Sequence, residues 1–251
     1  MRMHLDFPFI VFGVALVVQG RAAFTGDFLR KHTQRFKEGE RHDFSTIQAA
    51  TLTLLALIVG FTFSMAVTRY DQRKSLEEAE ANAIGTEYLR ADLLPDDLGA
   101  RTRDLLRQYL ALRIALYEET DGDIAEDINQ RTAKLQNELW ASVLPATTRQ
   151  PTPIVALAVA GMNDVINSQG YTQAAWWNRI PVAAWALMAL IAIGCSFLIG
   201  FGVRRTDRRI FLVIPVAVSI AFFLIADIDS PRGGAIRVKP QNLISLQQSL
   251  P

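Results

Sequence analysis

The sequence predicts an all-α integral membrane protein with four transmembrane helices and a helical soluble insert between the second and the third. Three observations predict it. Half of the 251 residues are hydrophobic and only 20% are charged. The charge is missing altogether from four stretches, Phe7–Gly20, Thr46–Thr68, Ile180–Val203 and Ile210–Ala226. Between the second and third of these the composition is ordinary and polar, with apolar side chains at helical spacing. The 26 Lys+Arg and 25 Asp+Glu leave a net charge of +1, which excludes a nucleic-acid binder working by phosphate neutralisation and a disordered acidic or basic tail.

A hydrocarbon core about 30 Å thick takes roughly 20 helical residues at about 1.5 Å each. The second and third stretches, at 23 and 24 residues, cross it, and the fourth, at 17, just reaches. The first has 14 residues and is read as a spanning helix extended through Phe24, because no small-residue cleavage site of a signal peptide follows it. The chain then divides into residues 1–68, with the first two spans and their loop, the extramembrane insert 69–179, the third and fourth spans 180–226, and a C-terminal tail 227–251.

Within the insert, Leu76, Ala79 and Ala83, then Ile84, Tyr88 and Ala91, recur at three- and four-residue steps, as do Leu105, Tyr109, Leu112 and Leu116, and Ile124, Ile128, Leu135 and Leu139. The breaks are signalled by Pro95-Asp96-Asp97, Gly122-Asp123 and the N-cap pair Thr152-Pro153, so three or four amphipathic helices are expected. From Arg69 to Arg149 there are 16 acidic and 11 basic residues, read as a solvated face.

No catalytic set presents itself. His4, His32 and His42 lack HExxH or Cys company and are read as surface histidines. No GxSxG elbow, P-loop or GxGxxG after a strand occurs, and the lone Cys195 forms no intramolecular disulfide. An enzyme is not expected, nor a cofactor or a metal. The spans carry two stripes of small residues, Ala56, Gly60 and Ser64 in the second and Ala192, Ser196 and Gly200 in the third, candidates for close helix packing or self-association. Asp227 and Asp229 follow the last span directly, and acids at membrane depth are functional candidates.

Two segments resemble a known family. Gly60-Phe61-Thr62-Phe63-Ser64-Met65-Ala66-Val67-Thr68-Arg69-Tyr70 is similar to the pore helix of bestrophins, which ends in a similar threonine, arginine and aromatic and passes into a long soluble helix. Phe223-Leu224-Ile225-Ala226-Asp227-Ile228-Asp229-Ser230-Pro231-Arg232-Gly233-Gly234 resembles the bestrophin segment in which paired acids precede proline and glycine. The whole chain, with Ala235-Ile236-Arg237-Val238 after it, looks like the bacterial bestrophin-like membrane proteins. The resemblance implies a bestrophin-like homo-oligomer in the bacterial inner membrane, pentameric in bestrophins, with the second span lining a path for inorganic ions. Its neck positions fall on Thr53, Leu57 and Phe61, of which Thr53 departs from the apolar pattern. Bestrophins that bind calcium carry an acidic run in the tail; here Asp227 and Asp229 are followed by Arg232, Arg237 and Lys239, so calcium activation is not expected. An ion pair of Asp229 with Arg69 is the plainer reading.

The expected partners are therefore the lipid bilayer, further copies of the chain and ions, with a non-conducting membrane sensor using the insert as the other reading. Orientation stays open. Ten positive charges, Arg21, Arg30, Lys31, Arg35, Lys37, Arg41, Arg204, Arg205, Arg208 and Arg209, fall in the short loops and pull the insert to the periplasm by the positive-inside rule, whereas bestrophin topology makes it cytoplasmic.

Overall fold

The computed structural model describes residues 7–32, 38–202 and 212–251, and the regular structure among them is helical throughout. His4 and the loop charges Arg35, Lys37, Arg204, Arg205, Arg208 and Arg209 lie outside the described residues. The chain forms two compact units, one within Met1–Arg69 and Arg179–Arg237, the other Tyr70–Asn178 with Val238–Pro251.

In the first unit, α1 (Pro8–His32) continues eight residues past the Phe24 end expected from the sequence. Gly26, beyond that end, is a contact surface. A Cβ there would meet the Phe197 carbonyl and lie 2.8 Å from the Phe201 nitrogen of α6 (Val182–Gly202). The last turns are held by Asp27, which pairs with Arg30 at 2.7 Å and Lys31 at 2.8 Å, and by His32, whose Nδ1 donates to the Phe28 carbonyl at 2.9 Å. Arg21, Arg30 and Lys31 are thus helical residues rather than loop residues.

The crossing of α1 and α6 is made by small residues. Gly200 lies so close to α1 that a Cβ would overlap the Ala23 carbonyl, and Ala192 and Ser196 are buried along the same line. Such stripes let helix backbones touch, which is how apolar helices gain packing energy in lipid. Buried Gln19 ties the cluster, accepting from the Ser196 hydroxyl and donating to the Ser219 hydroxyl, both at 3.4 Å. Ser219 belongs to α7 (Val213–Asp229), which also meets α1 through Phe9 and Phe223, ring centroids 5.1 Å apart, and α6 through Trp185 and Phe222 at 6.1 Å.

Helix α2 runs unbroken from Glu38 to Arg90, 53 residues, or about 80 Å at 1.5 Å per residue. No proline lies within it, and four threonine hydroxyls of its apolar stretch are satisfied internally. Thr51, Thr53, Thr62 and Thr68 each donate to the carbonyl four residues back at 2.7–3.0 Å, so the apolar stretch presents few free donors to a hydrocarbon surround. Three helical stretches among the described residues have the length and apolarity to cross a membrane, Pro8–His32, Arg41–Leu93 and Pro153–Gly202. Helix α7, the expected fourth span, has 17 residues.

The second unit holds the end of α2, α3 (Asp96–Glu118), α4 (Gly122–Arg149), α5 (Pro153–Trp177) and α8 (Gln241–Ser249). The helix starts fall where the local chemistry put them. Asp121 caps α4 by accepting from Asp123 N–H at 2.8 Å and Ile124 N–H at 3.4 Å, and Thr152 caps α5 by accepting from Val155 N–H at 3.2 Å with Pro153 in the first turn. The core gathers Ile84, Leu106, Tyr109, Leu139, Val165 and, from α8, Leu243. Of the expected apolar positions Ala79 and Ile124 are exposed; the inward face of α2 here carries Arg73, Glu77, Glu80 and Glu87, all at most 2% exposed.

Candidate functional site

The pore and packing candidates on α2 occupy one face. At about 100° per residue, Thr53, Ala56, Leu57, Gly60, Phe61 and Ser64 fall within about 140° of arc. Leu55, Thr62 and Ala66, which are buried, lie on the opposite side. All six candidates are exposed, Leu57 by 52% and Phe61 by 65%, and among the described residues nothing beyond the helix's own backbone lies within 4 Å of a Cβ placed on Gly60. The Thr53 hydroxyl donates to the Ala49 carbonyl at 3.0 Å, so its polarity is spent within the helix. The matching stripe of α6 behaves otherwise: Ala192, Ser196 and Gly200 are buried in the subunit. Identical spacing thus covers two different situations.

At the end of α7 the structure brings Asp229 to Arg69, while Asp227 binds the segment that follows. Asp229 accepts from Ile180 N–H with both oxygens at 3.2 Å and lies 3.7 Å from the Arg69 guanidinium, the pairing expected from the sequence. Asp227, 1% exposed, accepts from Ala235 N–H at 2.7 Å and Ile236 N–H at 2.8 Å. It folds the segment after α7 back on itself, and Gly234 leaves the necessary room: a Cβ there would overlap the Asp227 carbonyl. Each carboxylate oxygen of Asp227 and Asp229 thus accepts from a main-chain amide, so both acids hold the backbone at this end of the chain.

Sequence reasoning missed the buried charges of the second unit. Glu80 and Arg113 form an ion pair with side chains 0% and 1% exposed, and Glu80 also accepts from the Thr172 hydroxyl at 3.1 Å. Burial, reinforced by the Glu80 charge, pushes the Tyr109 and Tyr117 hydroxyls well above the usual range. Glu77 accepts from Asn242 N–H at 2.9 Å, Leu243 N–H at 3.0 Å and Asn242 Nδ2 at 2.6 Å, supplying the helix cap that Pro240 leaves unmade at the start of α8. The available signal was the spacing: 73, 77, 80, 84 and 87 follow the same helical stripe as Ile84.

Glu87 differs from its neighbours. It is fully buried, and neither carboxyl oxygen has a hydrogen-bond partner among the described residues. It is packed where a Cβ on Gly161 would overlap it. Desolvation pushes its carboxyl up to about 8, against the pull of Arg90 and with the help of Asp164. A carboxyl whose folded value is raised weakens the fold as pH climbs from the ordinary carboxylate range towards that value. Glu87→Gln is therefore expected to match the wild type near pH 4 and to melt at least ~4 °C higher at pH 8.5. Melting curves across that range check it, and a constant difference would refute it.

Comparison with known proteins agrees with this architecture. A family model described as the bestrophin-like domain matches residues 21–243. Among solved structures, two point variants of a bacterial bestrophin homologue from Klebsiella pneumoniae each share 12% identity. They superpose with TM-scores of 0.66 and 0.65, covering 96% of this chain and 96% and 97% of theirs. A further structure of the Klebsiella pneumoniae bestrophin homologue matches at 14% identity and TM-score 0.63, covering 97% of this chain and 99% of that one. No curated protein matches. With the family model spanning most of its length, the chain belongs to the bestrophin-like domain family and is an integral membrane protein of bestrophin fold.

Proposed function

We propose that the protein is an oligomeric ion channel of the bacterial plasma membrane. Copies associate around α2, five of them as in bestrophins, and Thr53, Leu57 and Phe61 line the pathway. The supporting observation is the α2 face itself: six candidate residues lie opposite the packed side, exposed in the single chain. The small residues on that face, Ala56, Gly60 and Ser64, suit close approach of neighbouring copies. Helix α7 is the fourth span, which places residues 69–179 and the tail 227–251 on the same side of the bilayer. Rings of Leu57 and Phe61 form an apolar constriction that a hydrated ion enters only at high cost, so the neck gates by dewetting.

Purified protein reconstituted in liposomes is expected to pass monovalent ions, and Phe61→Ala to raise the flux by about tenfold, the factor that ~1.4 kcal/mol off a barrier gives. Flux no higher than that of empty vesicles in both forms would sink the proposal, as would a monomer in mild detergent.

A further inference from the structure

Near one end of the α1–α6 pair lies a cleft of about 560 Å³. Its walls are Ile10, Val14 and Val18 of α1 and Val182, Ala186 and Ala189 of α6, with Phe222 of α7 behind. Its polar wall residue Gln19 is already engaged by Ser196 and Ser219, so the cleft offers a ligand almost nothing but hydrocarbon contact. Its shape follows from the helix crossing. The two backbones touch at Ala23 and Gly200 and at Gly26 and Phe197, and the cleft opens from there towards Ile10 and Val182.

The length is informative. The α6 wall runs from Val182, the first residue of the helix, to Ile193, about 16 Å at 1.5 Å per residue. That is about half of a 30 Å hydrocarbon core. The cleft therefore starts at the helix end and is about as long as one leaflet is deep. A second copy's helix, about 10 Å across with its side chains, does not enter a wedge that closes to helix contact. A single extended hydrocarbon chain does. Trp185, 9% exposed, adds its ring to the same apolar wall.

We propose that this cleft is a binding site for one acyl chain of a membrane phospholipid, entering from the Val182 end, independently of whether the protein conducts ions. Ala189→Trp fills the cleft, while Leu190→Trp adds the same bulk on the outward face, where Leu190 is 70% exposed. Each form is reconstituted in vesicles of phosphatidylethanolamine and phosphatidylglycerol, extracted in mild detergent and weighed by native mass spectrometry. Wild type and Leu190→Trp are expected to retain one phospholipid per chain, and Ala189→Trp to lose it at least tenfold. Equal retention by Ala189→Trp overturns the proposal. In wild type, a phospholipid with a photoreactive acyl chain should label residues 10–19 and 182–193, which decides the matter even if Ala189→Trp does not fold. Labelling confined to other segments, or a Val14→Cys disulfide between two copies, refutes it.

Discussion

Arg113→Ala is expected to lower stability by about 3–5 kcal/mol, the range for removing one partner of a buried ion pair. The loss arises from what is left behind. Glu80 is 0% exposed, and without the guanidinium its remaining hydrogen bond is from the Thr172 hydroxyl, so the carboxylate must take up a proton or bring water into the core. Replacing both partners by apolar residues of similar length, Glu80→Leu with Arg113→Met, removes the stranded charge and should restore most of the loss. Chemical denaturation of both forms in detergent tests this. A single variant within 1 kcal/mol of wild type, or a double variant no better than the single, would show that the pair carries little of the fold.

Gly200→Leu is expected to separate α1 from α6. Even the first carbon of the new side chain falls on the Ala23 carbonyl, and a backbone carbonyl in a helix cannot step aside as the tip of a long side chain can. Gly26 meets α6 from the other side, so displacing one contact disturbs both. In lipid, close packing is the main source of helix association, and the loss should exceed about 3 kcal/mol, seen as a fall in melting temperature and in recovery of folded protein. Gly194→Ala is the control, since among the described residues nothing beyond its own helix backbone lies within 4 Å of its added carbon; it should change stability by less than about 1 kcal/mol. Equal behaviour of the two variants would mean that the crossing is not set by Gly200.

What could be read in advance was local chemistry. Asp121 and Thr152 cap helices through amides two or three residues away, and the apolar stretches announce themselves by length. What could not be read depends on distant partners. Glu80 and Arg113 are 33 positions apart and Glu77 and Asn242 165, so acids facing a core looked like acids facing water. The first span reads as ending at Phe24, short of His32, because the contact of Gly26 with the helix across the crossing is not visible in the sequence. The two small-residue stripes had the same spacing, and only the presence or absence of a facing helix distinguishes the buried α6 stripe from the exposed α2 stripe.

The Glu77 cap of α8 also fixes an order of assembly. The ribosome delivers Glu77 long before Asn242 and Leu243, and α6 and α7 emerge in between. Until α8 arrives, the carboxylate lacks the three donors that hold it, and the place of Leu243 in the core stands open. The second unit is therefore completed only after both hydrophobic helices have been made, and a fragment that stops at residue 179 lacks the piece that closes it.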